Sequence, residues 1–184
     1  MTTTSRERIV DAYAEALAVD GERHATLEAV AARAGVSKGG LLYHFPSKDQ
    51  LAEALCDRLV ALAAADIEEM RNSPDGPARH YIRTSHYADT SLDRTLIAVA
   101  RLQQAGDPRA SAAIELISDQ WLSVLHDALG DRDIARTVKL IGDGLYHNAL
   151  FSALGGRRAR AELDEGLLAV IDRLIDQCVD ARQP

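Results

Sequence analysis

Gly35 and Pro46 bracket a segment with room for only two helical turns, and this pair of breaks constrains the N-terminal part of the chain more than any other feature. Before the first break, Leu27, Val30, Ala31 and Ala34 fall at helical spacing and predict an apolar helical face. Gly35 can take the positive φ that ends such a helix. Val36 supplies an apolar turn residue that locks two short helices together, and Ser37 can accept from the first free N–H groups of the next helix. That helix, about Lys38 to Phe45, carries Lys38, Tyr43 and His44 among its polar groups, with Leu41 and Phe45 directed to a core. A short helix opening with a lysine after a glycine-containing turn has the layout of a helix-turn-helix recognition helix. An ordinary helical hairpin explains the glycine and the caps, but not so many phosphate-type donors in so short a helix.

The stretch Ala31-Ala32-Arg33-Ala34-Gly35-Val36-Ser37-Lys38-Gly39, with Leu41, Tyr43-His44-Phe45-Pro46-Ser47-Lys48 and Leu51, closely resembles the DNA-binding segment of tetracycline-repressor-like (TetR/AcrR) transcriptional regulators. The resemblance covers roughly the first third of the chain. It implies an all-α protein: a three-helix DNA-binding head over residues 1–50, joined by a long helix to an effector-binding and dimerisation body over residues 51–184. It further implies a homodimer on a pseudo-palindromic double-stranded operator, released by a small-molecule effector. Two positions depart from the commonest pattern. Gly40 stands where a small hydroxyl residue is frequent, and Leu42 where a tyrosine often touches the DNA backbone, so direct contacts are thinned.

The chemistry of the segment assigns contacts residue by residue. Lys38 offers a cation to phosphate or to guanine in the major groove. Tyr43 and His44 offer an O–H and a ring N–H to phosphate, which positions without specifying sequence. Thr26 and Ser37 open helices whose N-termini can hold phosphates. Lys48 adds a cation at the start of the fourth helix, poor for that helix's dipole but suited to a phosphate. Gly39 and Gly40 each disfavour a helix by about 1 kcal/mol relative to alanine. Together they mark a close approach to the backbone, either by a duplex or by the preceding helix.

The formal net charge of −7 speaks against broad electrostatic DNA binding, but residues 1–50 carry six Lys/Arg against seven Asp/Glu, so most of the excess acid lies elsewhere. Phosphate binding depends on local cations and helix termini, and this balance predicts weak non-specific binding. Cys56 and Cys178 form no CxxC pair and read as small helical core or interface residues of a reducing, cytoplasmic compartment. The first residues hold no apolar signal segment, and the longest apolar run, Leu59 to Ala65, is too short to span a bilayer. No GxSxG, P-loop or GxGxxG motif suggests an enzyme or a bound cofactor. His80, His86, His126 and His147 lack metal-ligand spacing.

Capping patterns lay out the remaining helices. Thr4 and Glu7 form a T-x-x-E box that opens a first helix ending at Gly21, and Ser47 and Gln50 open a long fourth helix to about Arg71. After the break at 72–77 the pattern predicts helices over about 78–87, 91–104, 108–129, 132–154 and 161–181. Gly155 to Arg160 reads as a helix stop and a solvated basic turn. The last two helices carry apolar stripes wider than one seam needs: Ile134, Val138, Ile141 and Leu145 on one, Leu163, Leu167, Val170 and Leu174 on the other. Pairing with symmetry mates would make them a four-helix interface, and burial within one subunit is the alternative; the resemblance implies the dimer, with Gly142 and Gly144 allowing a neighbouring helix close approach. The resemblance implies an effector pocket in the body, with His86, Tyr87, Arg101, Trp121, Tyr146 and His147 as candidate contacts; core packing or a solvated surface is the alternative for each, Trp121 being in register with core positions. Two rival readings stand beside a ligand-released repressor: a helical ligand-binding protein with a vestigial head, and a regulator controlled by a protein partner.

Overall fold

The computed structural model describes residues 4–154 and 165–180, and every regular element among them is an α-helix. The helices are α1 (Ser5–Asp20), α2 (Leu27–Ala34), α3 (Lys38–His44), α4 (Lys48–Arg71), α5 (Pro77–Thr84), α6 (Ser91–Gln104), α7 (Pro108–Leu129), α8 (Arg132–Leu154) and α9 (Glu165–Asp180). Most boundaries follow from local chemistry. The Thr4–Glu7 capping box forms with both reciprocal bonds, and a second box joins Thr90 and Asp93 at the start of α6. The Ser47 hydroxyl accepts from Gln50 N at 3.2 Å. Asp107 and Asp131 cap α7 and α8, accepting from Arg109 N and Asp133 N, each at 2.9 Å.

α5 ends at Thr84, short of the expected boundary at Tyr87. The Thr84 hydroxyl donates to the His80 carbonyl and the Ser85 hydroxyl to the Tyr81 carbonyl, at 2.9 and 2.6 Å. Local side-chain bonds of this kind compete with helix propagation. The expected turn at 155–160 and the ends of the expected last helix, 161–164 and 181, lie outside the described residues.

Packing divides the chain into two compact units. The first comprises the chain up to Ala64 together with Asp89–Ile117. Its core brings Ile9, Tyr13 and Leu17 of α1 together with Val30 of α2, Leu41 of α3, Phe45 just after it, Leu51, Leu55 and Leu59 of α4, and Val99 and Leu102 of α6, all buried. α6 packs along α1, so this unit extends well beyond the DNA-binding segment. The second unit comprises Ala65–Ala88 and the chain from Ser118 onward. Its core holds Ile67, Met70, Tyr81, Ile82, Val124, Leu125, Val138, Ile171 and Ile175.

Within the second unit, α5 crosses α8 at Gly142. A Cβ at Gly142 would stand 2.5 Å from Tyr81 Cε1 and 2.7 Å from Ser85 Oγ. Tyr81 cannot swing aside freely, because it is buried and its hydroxyl donates to Asp143 at 2.6 Å. At Gly144 a Cβ would meet nothing within 4 Å. Gly142→Ala is therefore expected to destabilise the protein by about 1–3 kcal/mol through overpacking. Gly144→Ala is expected to leave the stability of the isolated subunit unchanged or raise it by up to about 1 kcal/mol. Urea denaturation of the two variants checks both; equal midpoints would contradict the close crossing.

Candidate nucleic-acid interface

α2 ends in a double backbone closure. Val36 N donates to Ala31 O at 3.0 Å and Gly35 N to Ala32 O at 3.2 Å, with Gly35 left-handed at φ 65°, ψ 35°. The chain restarts at once, because the Ser37 hydroxyl accepts from Gly40 N at 3.0 Å and caps α3. Thr26 does the same for α2, accepting from Ala29 N at 3.2 Å. Both caps are exposed, so both helix N-termini open to solvent. Leu41 and Phe45 are buried, as expected, and fix which side of α3 faces inward. The opposite side carries Lys38, Gly39 and Tyr43, all exposed, while Gly40, His44 and Lys48 are half-buried. Tyr43 is 85% exposed, and its ring meets that of His44 edge-on, with centroids 5.2 Å apart. A large aromatic so open gains little from folding, which leaves it available to a partner.

The two glycines differ. A Cβ at Gly40 would come within 3.2 Å of the capping Ser37 hydroxyl. At Gly39 the nearest such atom is that hydroxyl at 4.0 Å, and α2 supplies no close neighbour. The subunit's own packing therefore does not require a glycine at 39.

The cations of the segment are held by carboxylates. Lys38 Nζ pairs with Glu28 Oε1 at 2.5 Å, both partners exposed, and this bond holds the Glu28 carboxyl below its usual range. Lys48 Nζ donates to Glu22 O and Glu22 Oε1, at 2.9 and 2.8 Å, tying the start of α4 to the turn after α1. An ammonium has three donors, so Lys48 keeps one. Arg33 pairs with Asp20 at 3.0 Å, and the Arg6 guanidinium lies 5.0 Å from the centre of the Phe45 ring. These contacts brace the three short helices against one another.

The expected effector contacts do not gather in one place. Arg101 lies in the first unit, exposed and bonded to Gln104 at 3.3 Å. His86 is exposed and bonds through Nδ1 to Arg83 O at 3.1 Å, and Tyr87 is half-buried. Tyr146 and His147 are adjacent rings 6.4 Å apart, with His147 Nδ1 on Asp143 O at 2.7 Å. Trp121 is half-buried and donates through Nε1 to Asp66 Oδ2 at 2.8 Å. Its ring lies 6.3 Å from that of Tyr81, a residue the sequence reading missed. The only signal for Tyr81 was its pairing across helices with Gly142, and that requires the fold.

The expected dimer stripe also divides. Val138 is fully buried and belongs to the core of its own subunit, so it offers no surface to a partner. Ile134, Ile141 and Leu145 are half-buried against the same core. The exposed apolar residues of α8 are instead Leu140 (62%) and Phe151 (68%), in line with exposed Gly144 and His147. On α9, Leu167, Val170 and Leu174 are exposed at helical spacing. Leu163 lies outside the described residues.

Residues 9–55 match the family model described as bacterial regulatory proteins, tetR family. The chain is 31% identical over 177 residues to the HTH-type transcriptional regulator BetI of Escherichia coli O17:K52:H18, covering 95% of this chain and 82% of that protein. Among solved structures, a transcriptional regulator from Rhodococcus sp. Rha1 superposes with a TM-score of 0.69 at 24% identity, covering 97% of each chain. The multidrug binding protein EbrR, complexed with malachite green, gives 0.70 at 20% identity over 92% of this chain and 96% of that one. A regulator from Saccharomonospora viridis in complex with choline gives 0.65 at 20% identity, over 95% and 93%.

Gly39→Ala is expected to leave thermal stability unchanged or slightly raised, since alanine favours a helix by about 1 kcal/mol. It is also expected to lower operator affinity by about tenfold, the scale of one lost contact. Unchanged affinity, measured by fluorescence anisotropy, would mean that no duplex approaches the backbone there.

Proposed function

This chain belongs to the tetR family of bacterial regulatory proteins, DNA-binding transcriptional regulators, and from that premise we propose that it is a homodimeric repressor released from its operator by a small organic cation. The observation that carries the DNA-contact reading is the outward side of α3, where Lys38, Gly39 and Tyr43 stand exposed after the capped helix N-terminus and Lys38 reaches Glu28 in the first turn of α2, itself capped by Thr26. Thr26, Ser37, Tyr43 and His44 contact phosphates, Gly39 and Gly40 admit the duplex wall, and Lys38 exchanges Glu28 for DNA. Lys48 contributes its third N–H while the other two remain on Glu22. Such a surface, poor in free cations, predicts binding that depends on docked geometry more than on bulk charge.

The dimer reading rests on the exposed apolar residues of α8 and α9. Leu140, Gly144, His147 and Phe151 recur at helical spacing on one helix, and Leu167, Val170 and Leu174 on the other. Gly144, open on its outer side, allows a partner helix to approach closely. A two-fold pair presents two α3 helices and so reads a pseudo-palindrome.

The effector reading draws on two observations. Malachite green and choline, held by two of the structural relatives, are both organic cations. In this chain's second unit, Tyr81 and Trp121 lie 6.3 Å apart, and their polar edges bond to Asp143 and Asp66. Aromatic faces backed by carboxylates suit a desolvated cation. Release requires that the ligand prefer the DNA-free arrangement, by about 1–3 kcal/mol in ordinary couplings.

Choline is expected to quench the fluorescence of Trp121, the one tryptophan of the sequence, and to lower operator affinity 5–150-fold, the range of those couplings. Quenching without any change in operator affinity would remove choline as the effector and favour control by a protein partner. Val170→Glu is expected to yield a folded monomer in sedimentation at micromolar concentration, because the residue is already 51% exposed in the single subunit. An intact dimer would move the interface away from α9.

A further inference from the structure

We propose that a cleft within the first unit, walled by α1, the first turn of α4 and the α6–α7 turn, binds a small primary ammonium ligand through the Tyr13 hydroxyl and the carboxylates around it. The cleft has a volume of about 260 Å³. At roughly 30 Å³ per water it exceeds what a single buried water fills several times over. Tyr13 lines it and is fully buried, yet its hydroxyl has no protein partner among the described residues. Buried phenol oxygens are ordinarily hydrogen-bonded, and an orphaned one on a side chain that lines a cleft this size marks a place for a ligand's polar group.

The charges of the rim give the ligand's sign. Glu22, Asp49 and Asp107 face Lys48 and Arg109, a surplus of one negative charge. Both cations are already engaged. Lys48 bonds to Glu22, while Arg109 bonds to Asp107 Oδ2 at 2.7 Å and to Asp49 Oδ1 at 3.1 Å. Burial, then Glu22 and Asp107, push the Tyr13 pKa well above that of an ordinary phenol, so the group stays a neutral hydroxyl. Its oxygen lone pairs can accept an ammonium N–H, and a monocation cancels the surplus charge. Ala52 and Leu102 give the ligand's carbon stem an apolar wall. An anion would enter a net negative rim whose two cations already hold carboxylates. A quaternary ammonium has no N–H to give to Tyr13.

The site is independent of the Tyr81–Trp121 pair, and the test separates the two. Ethanolamine at neutral pH, titrated into the full-length protein, is expected to shift the NMR methyl signals of Ala52 and Leu102 saturably. Choline is expected to leave those signals in place. Tyr13→Phe keeps the ring and removes only the orphaned oxygen, and it should weaken ethanolamine binding about tenfold or more, the scale of a hydrogen bond to a charged group. Glu22→Gln, which keeps an acceptor for Lys48 and removes one charge, should weaken it as well. The assignment is overturned if ethanolamine gives no saturable shifts, if Tyr13→Phe binds it as tightly as the native chain, or if choline shifts the same methyls equally. Shifts produced by inorganic phosphate and not by ethanolamine would likewise overturn it.

Discussion

The left-handed turn at Gly35 is the constraint on which the DNA-binding end depends. With φ at 65°, Gly35 lets two backbone N–H groups close α2 from outside, and the chain turns away so that Ser37 caps α3 two residues later. A side chain at 35 would be strained in that conformation, whatever the space around it. Once the turn is made, Leu41 and Phe45 can reach the core shared by α1, α2 and α4. Their burial then fixes the outward side of α3, and with it the exposure of Lys38 and Tyr43. A backbone dihedral at one residue thus determines which functional groups meet solvent.

Ion pairs hold this arrangement from several sides. Lys48 ties α4 to the turn after α1, Arg33 ties α2 to α1, and Arg109 ties the start of α7 to the start of α4. Each of these links is partly solvent-exposed, so each contributes modestly and weakens with salt. The apolar core supplies most of the stability, and the pairs set orientation. That division suits a DNA-binding segment, where a few cations must be able to exchange a carboxylate for a phosphate without unfolding the domain. The second unit is built differently. Its polar contacts, Tyr81 to Asp143 and Trp121 to Asp66, are half-buried at the edge of its core, where partial removal from water strengthens a hydrogen bond.

The all-α architecture and its helix boundaries were legible in the sequence to within a few residues, because the caps Thr4, Thr26, Ser37, Ser47, Thr90 and Asp107 act locally. The outward placement of Lys38 and Tyr43 was legible for the same reason, being set by a short-range turn. What the sequence hid depends on which side of a long helix faces its own core. Ile134, Val138, Ile141 and Leu145 have the spacing of an interface stripe, but Val138 is fully buried in its own subunit's core, the other three are half-buried against that core, and Leu140 and Phe151 face out. Hydrophobic periodicity reports that a face is apolar and not what covers it. Arg101 was grouped with Trp121 on chemistry alone, and packing assigns the two to different units. The Tyr13 cleft left no sequence signal, since a tyrosine at a core position is unremarkable until its hydroxyl is seen to lack a partner.

The central claim, that paired α3 helices read a two-fold operator, is tested most directly by hydroxyl-radical footprinting of the full-length protein on DNA selected from random fragments. The account predicts two protected patches related by a pseudo-dyad, with centres one helical turn or a small multiple of it apart, the single turn being about 34–36 Å. A single isolated patch, or uniform protection of every fragment with no preferred sequence, would contradict it.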